Sequence, residues 1–348
     1  MSVRDMVAYE QVKRTLSAEP SRWCVTGAAG FIGSHLVQAL LCLDQEVIGV
    51  DDFSTGRREN IEDVLTTVGS ARAARFRLVE GDIRDLSACR AAMLGVQRVL
   101  HQAALGSVPR SIKDPRTSHD VNVTGFMNVL LAARDAGVKR IVYASSSSVY
   151  GDHPDLPKRE DVIGRPLSPY AVTKLTNELY AEAFAKAYGL ELMGLRYFNV
   201  FGPRQDPDGP YAAVMPRWFA ALLGGGDVVI NGDGETSRDF CYVANVVQAN
   251  LLAASSTNAA ALGRVYNVAC GERTTLNELF AAIRDQVARF RTDASLRMPS
   301  YAPFRPGDIR HSLAAIDCAR SLLGYAPSHG VRDGLVEAAA WYASHASG

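Results

Sequence analysis

Trp23-Cys24-Val25-Thr26-Gly27-Ala28-Ala29-Gly30-Phe31-Ile32-Gly33-Ser34-His35-Leu36-Val37 decides the fold. A short apolar run enters a glycine-rich turn and leaves in helical register. Gly27, Gly30 and Gly33 are each three apart, a shifted form of the Gly-x-Gly-x-x-Gly spacing. Glycines there permit a tight turn and let backbone N–H groups approach a pyrophosphate at the helix N-terminus. The strand before and the helix after supply the context the motif needs.

Working outward, strand-like runs fall at 23–26, 46–50, 75–79, 98–102, 140–144 and 191–197, with helix-like stretches between them. The clearest helices span 31–43, 117–136 and 168–188. Such alternation predicts an α/β fold with a Rossmann-like, doubly wound parallel sheet. Residues 1–20 read as an accessory amphipathic helix ending at Pro20. After Gly202 the regularity weakens, and strand–helix elements return at 228–230, 265–269 and 276–287. The expected organisation is a dinucleotide-binding domain over 1–200 and a smaller, mainly substrate-binding α/β lobe over 201–348.

The second strand ends in Asp51-Asp52. A carboxylate there accepts the ribose hydroxyls of NAD and repels the extra phosphate of NADP. Arg57 and Arg58 follow closely enough to keep NADP as the alternative. Ser168-Pro169-Tyr170-Ala171-Val172-Thr173-Lys174 reads as an N-cap, a proline at the first helical position, and a tyrosine and lysine one turn apart. The positive helix end and the Lys174 ammonium both favour a phenolate, so Tyr170 is poised as a general base.

The 348 residues are 47% hydrophobic, enough for one large core or two modest ones. Lys+Arg and Asp+Glu both number 37, so no global field recruits nucleic acid or an anionic membrane. Six scattered cysteines form no Cys-x-x-Cys pair and suggest neither a disulfide framework nor a metal site. The first twenty residues lack an apolar core, and no apolar run reaches membrane-spanning length. A soluble protein of the cytoplasm is expected.

In order along the chain, the motifs resemble the extended short-chain dehydrogenase/reductase family. They are Thr26 to Gly33, Gly81-Asp82-Ile83, His101-Gln102-Ala103-Ala104, the serine run Ser145–Ser148 ending in Val149-Tyr150-Gly151, and the Tyr170/Lys174 pair. Leu195-Arg196-Tyr197-Phe198-Asn199-Val200-Phe201-Gly202-Pro203, Arg238-Asp239-Phe240 and Arg305-Pro306-Gly307-Asp308 follow. Within the family, the chain is similar to bacterial 4-epimerases of UDP-N-acetylhexosamines that feed surface-polysaccharide (O-antigen) synthesis. Gly106-Ser107-Val108-Pro109-Arg110-Ser111, Gly151-Asp152-His153-Pro154 and Ala212-Ala213-Val214 carry that finer likeness.

The resemblance implies roles. Gly27, Gly30, Phe31 and Ile32 would hold the pyrophosphate of NAD, and Asp51 with Phe53, Ser54, Thr55 and Gly56 the adenosine ribose. Asp82 and Ile83 would flank the adenine. Gln102, Ala103, Ala104, Asn122, Tyr197 and Val200 would complete the cofactor site. Ser146 would supply the catalytic hydroxyl beside Tyr170 and Lys174. Ser147 and Ser148 occupy the positions where related 4,6-dehydratases carry Asp and Glu. They would face the UDP-sugar together with Gly106, Ser107, Asn199, Val214 and Asn231, while Arg238, Arg305 and Asp308 would grip UDP. Ser312 falls at the family's gatekeeping position and is small, leaving room for an N-acetyl group.

The resemblance also implies a homodimer paired through a four-helix bundle, for which Val121, Phe126, Val129 and Leu179 are apolar residues beyond a core-facing stripe. Three alternatives stand beside this reading. They are a 4-epimerase of UDP-N-acetylhexosaminuronic acids, with Arg110 or Arg310 on the carboxylate, one of plain UDP-glucose and UDP-galactose, and a catalytically silent NAD-sensing protein.

Overall fold

The computed structural model describes residues 3–208, 212–304 and 309–345. Its centre is a seven-stranded, wholly parallel sheet. The strands are β1 (Arg22–Thr26), β2 (Glu46–Asp51), β3 (Phe76–Glu80), β4 (Arg98–His101), β5 (Arg140–Ser146), β6 (Glu191–Tyr197) and β7 (Val265–Val268). Their spatial order is β7-β6-β5-β4-β1-β2-β3. The order reverses between β1 and β4, and at such a switch point the connections diverge and leave a crevice beyond the carboxyl ends of the strands.

The longer helices are α1 (Val3–Ala18), α2 (Phe31–Cys42), α3 (Arg58–Val68), α4 (Gly125–Asp135), α5 (Pro169–Tyr188), α6 (Val214–Leu223), α7 (Val243–Ser255), α8 (Leu276–Val287) and α9 (Val331–His345). Parallel strands buried on both faces need apolar side chains on both. One face carries Val25, Leu36, Leu40 and Leu251; the other carries Cys24, Met93, Phe126, Leu130 and Phe184. Tight packing of α2 on β1 depends on Gly33, where a Cβ would lie 1.9 Å from the Gly27 carbonyl oxygen. The accessory helix is fastened at its end, where Gln45 Nε2 donates to the Leu16 carbonyl at 2.7 Å.

The smaller lobe has a core of its own, with Met215, Trp218, Phe219, Phe280 and Leu335 among its buried residues. Three short strand pairs frame it: 200–201 with 241–242, 237–238 with 274–275, and 229–231 with 300–302. Residues 243–268 do not stay there. Helix α7 packs on the large sheet, and β7, expected in the smaller lobe, pairs with β6 as the edge strand of the large one.

Two expectations are corrected. The helix expected over 117–136 is three pieces: Pro115–His119, a wide π turn over Asp120–Thr124, and α4. The wide turn sits where Asn122 turns inward to bond the Leu105 backbone. Phe126 and Val129, read as free for a partner, are fully buried against the subunit's own sheet. The exposed apolar residues of this region include Ile112, Val172, Leu179 and Tyr180. Among the described residues, no helix is long and apolar enough to cross a membrane.

Candidate active site

A cleft of about 370 Å³ opens at the carboxyl ends of the central strands. Its floor is the turn after β1. Gly27 takes φ +68° against the Ala103 backbone, where a Cβ would come within 2.8 Å of the Ala103 nitrogen. Gly30 is the N-cap of α2, and among the described residues no side chain caps that helix end and no acidic residue occupies its first turn. The first N–H groups of α2 are therefore left to whatever lies in the cleft, which Gly27, Gly30, Phe31 and Ile32 line.

Asp51 closes one end. Its Oδ2 accepts the Ala29 N–H at 2.8 Å and its Oδ1 the Phe53 N–H at 2.9 Å. These bonds aim the carboxylate while leaving lone pairs for further donors. Burial pushes its carboxyl above the usual range, partly offset by those backbone bonds. Ser54, Thr55, Gly56, Asp82 and Ile83 line the same end. The Arg84 guanidinium holds the Asp82 carboxyl below its ordinary range. Phe53 is outside the lining; its ring lies under the Arg58 guanidinium, 4.0 Å away.

The other end is held by a closed triangle. Tyr197 Oη donates to Gln102 Oε1 at 3.0 Å, Asn250 Nδ2 donates to Tyr197 Oη at 2.9 Å, and Gln102 Nε2 donates to Asn250 Oδ1 at 3.2 Å. Gln102, Ala103, Ala104, Gly106 and Tyr197 all line the cleft. Asn122 and Val200 do not. Asn122 instead ties Leu105 to Thr173, donating to Thr173 Oγ1 at 3.1 Å, and the half-buried Val200 packs against the two cores.

Tyr170 and Lys174 reach the cleft from the first turn and a half of α5. Ser168 caps that helix, its hydroxyl accepting the Ala171 N–H at 3.2 Å, and Pro169 fills the first helical position. The Tyr170 N–H donates to Ser111 Oγ at 3.0 Å, fixing the helix start from the side. Ser146, at the end of β5 and outside the cleft lining, stands close enough to the Tyr170 side chain to favour its ionisation, and its hydroxyl accepts the Ser148 N–H at 3.1 Å. Lys174 Nζ donates to the Ala144 carbonyl at 2.9 Å.

The titration behaviour differs in part from the sequence expectation. Burial pushes the Tyr170 hydroxyl above the ordinary tyrosine range, and the Ser146 bond draws it only partly back. Desolvation is the dominant cause, since burial disfavours the charged phenolate. Burial also lowers Lys174 to about 8, against the attraction of Glu178.

The remaining expected residues are dispersed. Ser147 lies outside the cleft lining, as does Ser148, whose Oγ is buried without a hydrogen-bond partner among the described residues. Ser107 caps the short helix Val108–Lys113 by accepting the Arg110 N–H. Asn199, Val214, Asn231, Arg238 and Ser312 are also outside the lining. Asn199 Nδ2 donates to the Asp239 carbonyl, Arg238 Nη1 to the Ser237 and Arg310 carbonyls, and the Ser312 N–H to the Ser237 carbonyl. Arg305 and Asp308 lie outside the described residues.

Sequence reasoning missed several wall residues. Arg204 and Asp206 line the cleft from the 202–208 segment. That segment is pinned on α3 and its N-cap: Arg204 Nε pairs with Asp63 at 2.7 Å, and Arg57 Nη2 with Asp206 at 2.7 Å. No local pattern marks such long-range pairs. Ser145 also lines the cleft, and its Oγ lies 2.5 Å from Glu178 Oε1. Glu178 was legible, since residues 170, 174 and 178 share one helix face.

The residues present fit NAD. An uncapped helix end and a glycine floor suit a pyrophosphate, and a fixed carboxylate after β2 suits a ribose diol. Comparison with known proteins agrees. Residues 23–269 match the model of the NAD dependent epimerase/dehydratase family. A UDP-glucose 4-epimerase of Mycolicibacterium smegmatis is 37% identical over 318 residues, 91% of this chain and 96% of that protein. The solved UDP-N-acetylglucosamine 4-epimerase of Methanobrevibacter ruminantium, in complex with UDP-N-acetylmuramic acid, superposes with a TM-score of 0.84. It is 37% identical, covering 94% of this chain and 99% of that one. A UDP-glucuronic acid 4-epimerase variant of Bacillus cereus, solved with NAD and a fluorinated UDP-glucuronic acid, gives 0.81 at 29% identity, covering 93% and 99%.

Proposed function

The chain belongs to the NAD-dependent epimerase/dehydratase family, and from that premise we propose that it inverts carbon 4 of UDP-N-acetylhexosamines, interconverting UDP-GlcNAc and UDP-GalNAc. At the coarser level it is an NAD-dependent nucleotide-sugar 4-epimerase. The observation that carries the reading is the presence of Tyr170 and Lys174 together on the cleft wall, with Ser146 of β5 beside the Tyr170 side chain.

When bound, NAD supplies a reversible acceptor for the hydrogen and electron pair of sugar carbon 4. Gly27, Gly30, Phe31 and Ile32 would hold its pyrophosphate, Asp51 its adenosine ribose, and Lys174 the ribose nearer the reacting end. Tyr170 removes the proton of the 4-hydroxyl and later returns it, and Ser146 holds the same oxygen. Because burial raises the Tyr170 hydroxyl, positive charge beside it must favour the phenolate, and the Lys174 ammonium one turn away supplies some. The smaller lobe, through Asn199 and Arg238, keeps UDP anchored while the hexose turns its other face to the cofactor.

Support for the N-acetylated sugar is the small Ser312 and the likeness to the UDP-N-acetylglucosamine 4-epimerase. A uronic-acid substrate is the second reading, favoured by Arg110 on the cleft wall and by the likeness to the UDP-glucuronic acid 4-epimerase. Exposed Ile112, Val172, Leu179 and Tyr180 support the homodimer, and six free cysteines suit a reducing cytoplasm. Purified protein is incubated with UDP-GlcNAc, UDP-GalNAc, UDP-glucose and UDP-N-acetylglucosaminuronic acid, and the products are identified by NMR. Fastest equilibration of the first pair is expected. Faster turnover of the acid transfers the function to the second reading, and NAD binding without turnover of any sugar leaves a cofactor sensor.

A further inference from the structure

Behind the catalytic residues lies a buried charge network that the mechanism above does not use. Glu178 stands one helical turn beyond Lys174, as Lys174 stands one turn beyond Tyr170. Arg196, from β6, clasps Glu178 through two parallel bonds: Nε to Oε1 at 2.9 Å and Nη2 to Oε2 at 2.8 Å. Both side chains are more than nine-tenths buried. The Arg196 guanidinium continues to the Glu160 carbonyl at 3.0 Å and lies over the Tyr150 ring. On its other side, Glu178 Oε1 takes the hydroxyl of Ser145.

That last bond leads back to the reacting centre. Ser145 sits on β5 between Ala144, whose carbonyl holds Lys174 Nζ, and Ser146, which stands close enough to the Tyr170 side chain to favour its ionisation. One carboxylate therefore fastens the strand end that carries both partners of the catalytic pair. We propose that Glu178, clasped by Arg196, is a positioning residue of this active site: it fixes the β5 end through Ser145 and presents a negative charge to Lys174, keeping that ammonium protonated and in place. The proposal rests on the epimerase reading and adds to it a residue that touches neither substrate nor cofactor.

Charges on every side of Lys174 give the test its sign. On α5 it lies one turn from Tyr170 and from Glu178; on β4 it acts on His101, whose own titration feels the lysine charge; on β5 it bonds the Ala144 carbonyl. Arg196 stands behind Glu178 on β6. Glu178 is thus the group that favours the charged lysine against its burial, and with both acting Lys174 stands at about 8. Neutralising it makes the ammonium lose its proton at lower pH.

The holoenzyme is assayed for kcat and KM with its UDP-sugar from pH 6 to 10. Glu178→Gln alone strands the Arg196 charge in the interior, so Glu178→Gln with Arg196→Met is made beside it, and Ser145→Ala tests the third member. In the double variant the alkaline limb of kcat is expected to move down by about one pH unit while KM stays within about twofold. Ser145→Ala is expected to lower kcat severalfold at unchanged KM and an unmoved limb. Wild-type turnover with an unmoved limb in a folded double variant, or unchanged kcat in Ser145→Ala, overturns the proposal alone. A wild type that turns over no UDP-sugar removes the epimerase reading and this proposal with it.

Discussion

Lys174 Nζ is bonded to the Ala144 carbonyl at 2.9 Å, so the lysine is tethered to the strand end and not to the phenol one turn before it. The pair acts through a shared site, not through a mutual bond. Lys174→Met would keep most of the buried stem and lose the charge. NAD affinity is expected to weaken and kcat to fall together, read by cofactor titration and by NMR of the product. Unchanged NAD affinity would show that the lysine does not reach the cofactor.

Tyr170→Phe keeps the ring and removes only the hydroxyl. Folding and NAD binding should persist while epimerisation drops by about a hundredfold or more, the usual contribution of a positioned base. Near-normal turnover would transfer the proton abstraction to another group.

Gly33→Ala tests the junction of β1 and α2. The added Cβ would lie 1.9 Å from the Gly27 carbonyl oxygen and 2.7 Å from its carbon, both backbone. Helix and turn must separate, so a stability loss of at least about 3 kcal/mol is expected. Urea unfolding and NAD titration measure it. A variant with wild-type stability and affinity would refute the packing argument.

His101 predicts an acid-sensitive fold. Burial, aided by the Lys174 charge, depresses its imidazole to about 3, whereas an unfolded chain protonates histidine near 6.5. Between those values the unfolded state takes up a proton that the folded state refuses. Stability is therefore fully present above about 6.5 and is lost as pH falls toward 3. His101→Gln removes this linkage while His35, depressed to about 4, and Asp239, raised to about 7 by burial, act equally in both proteins. The urea midpoint of the variant should fall less between pH 7.5 and 5. Parallel losses would acquit His101.

Ser312→Tyr is expected to abolish turnover of N-acetylated sugars before that of plain hexoses, compared as kcat/KM on UDP-GlcNAc and UDP-glucose. Equal loss of both would remove Ser312 as the determinant of sugar size.

Local chemistry explains what the sequence revealed. The β1–turn–α2 unit and the start of α5 are set by neighbours within a few positions: Gly27, Gly30 and Gly33 in one, Ser168 and Pro169 in the other. Their glycines, caps and periodicity are legible without tertiary information. The wide turn over Asp120–Thr124 is not, because one extra residue in a helix leaves no compositional trace and is selected by the distant Leu105 backbone. The smaller lobe was blurred for another reason. Its pairs 200–201, 237–238, 241–242 and 274–275 are two residues long, too short to show a period. The walls built by Arg204 and Asp206 depend on partners about 140 to 150 positions away, Asp63 and Arg57.

The seventh strand completes its sheet some seventy residues after the sixth has formed. A nascent chain on the ribosome, or a fragment cut after residue 200, would hold β6 with a bare edge of unpaired N–H and C=O groups. Such an edge invites intermolecular pairing, so the N-terminal half should not be recoverable as a soluble fragment. The boundary drawn at that residue separates chemical duties; it is no seam along which the polypeptide matures.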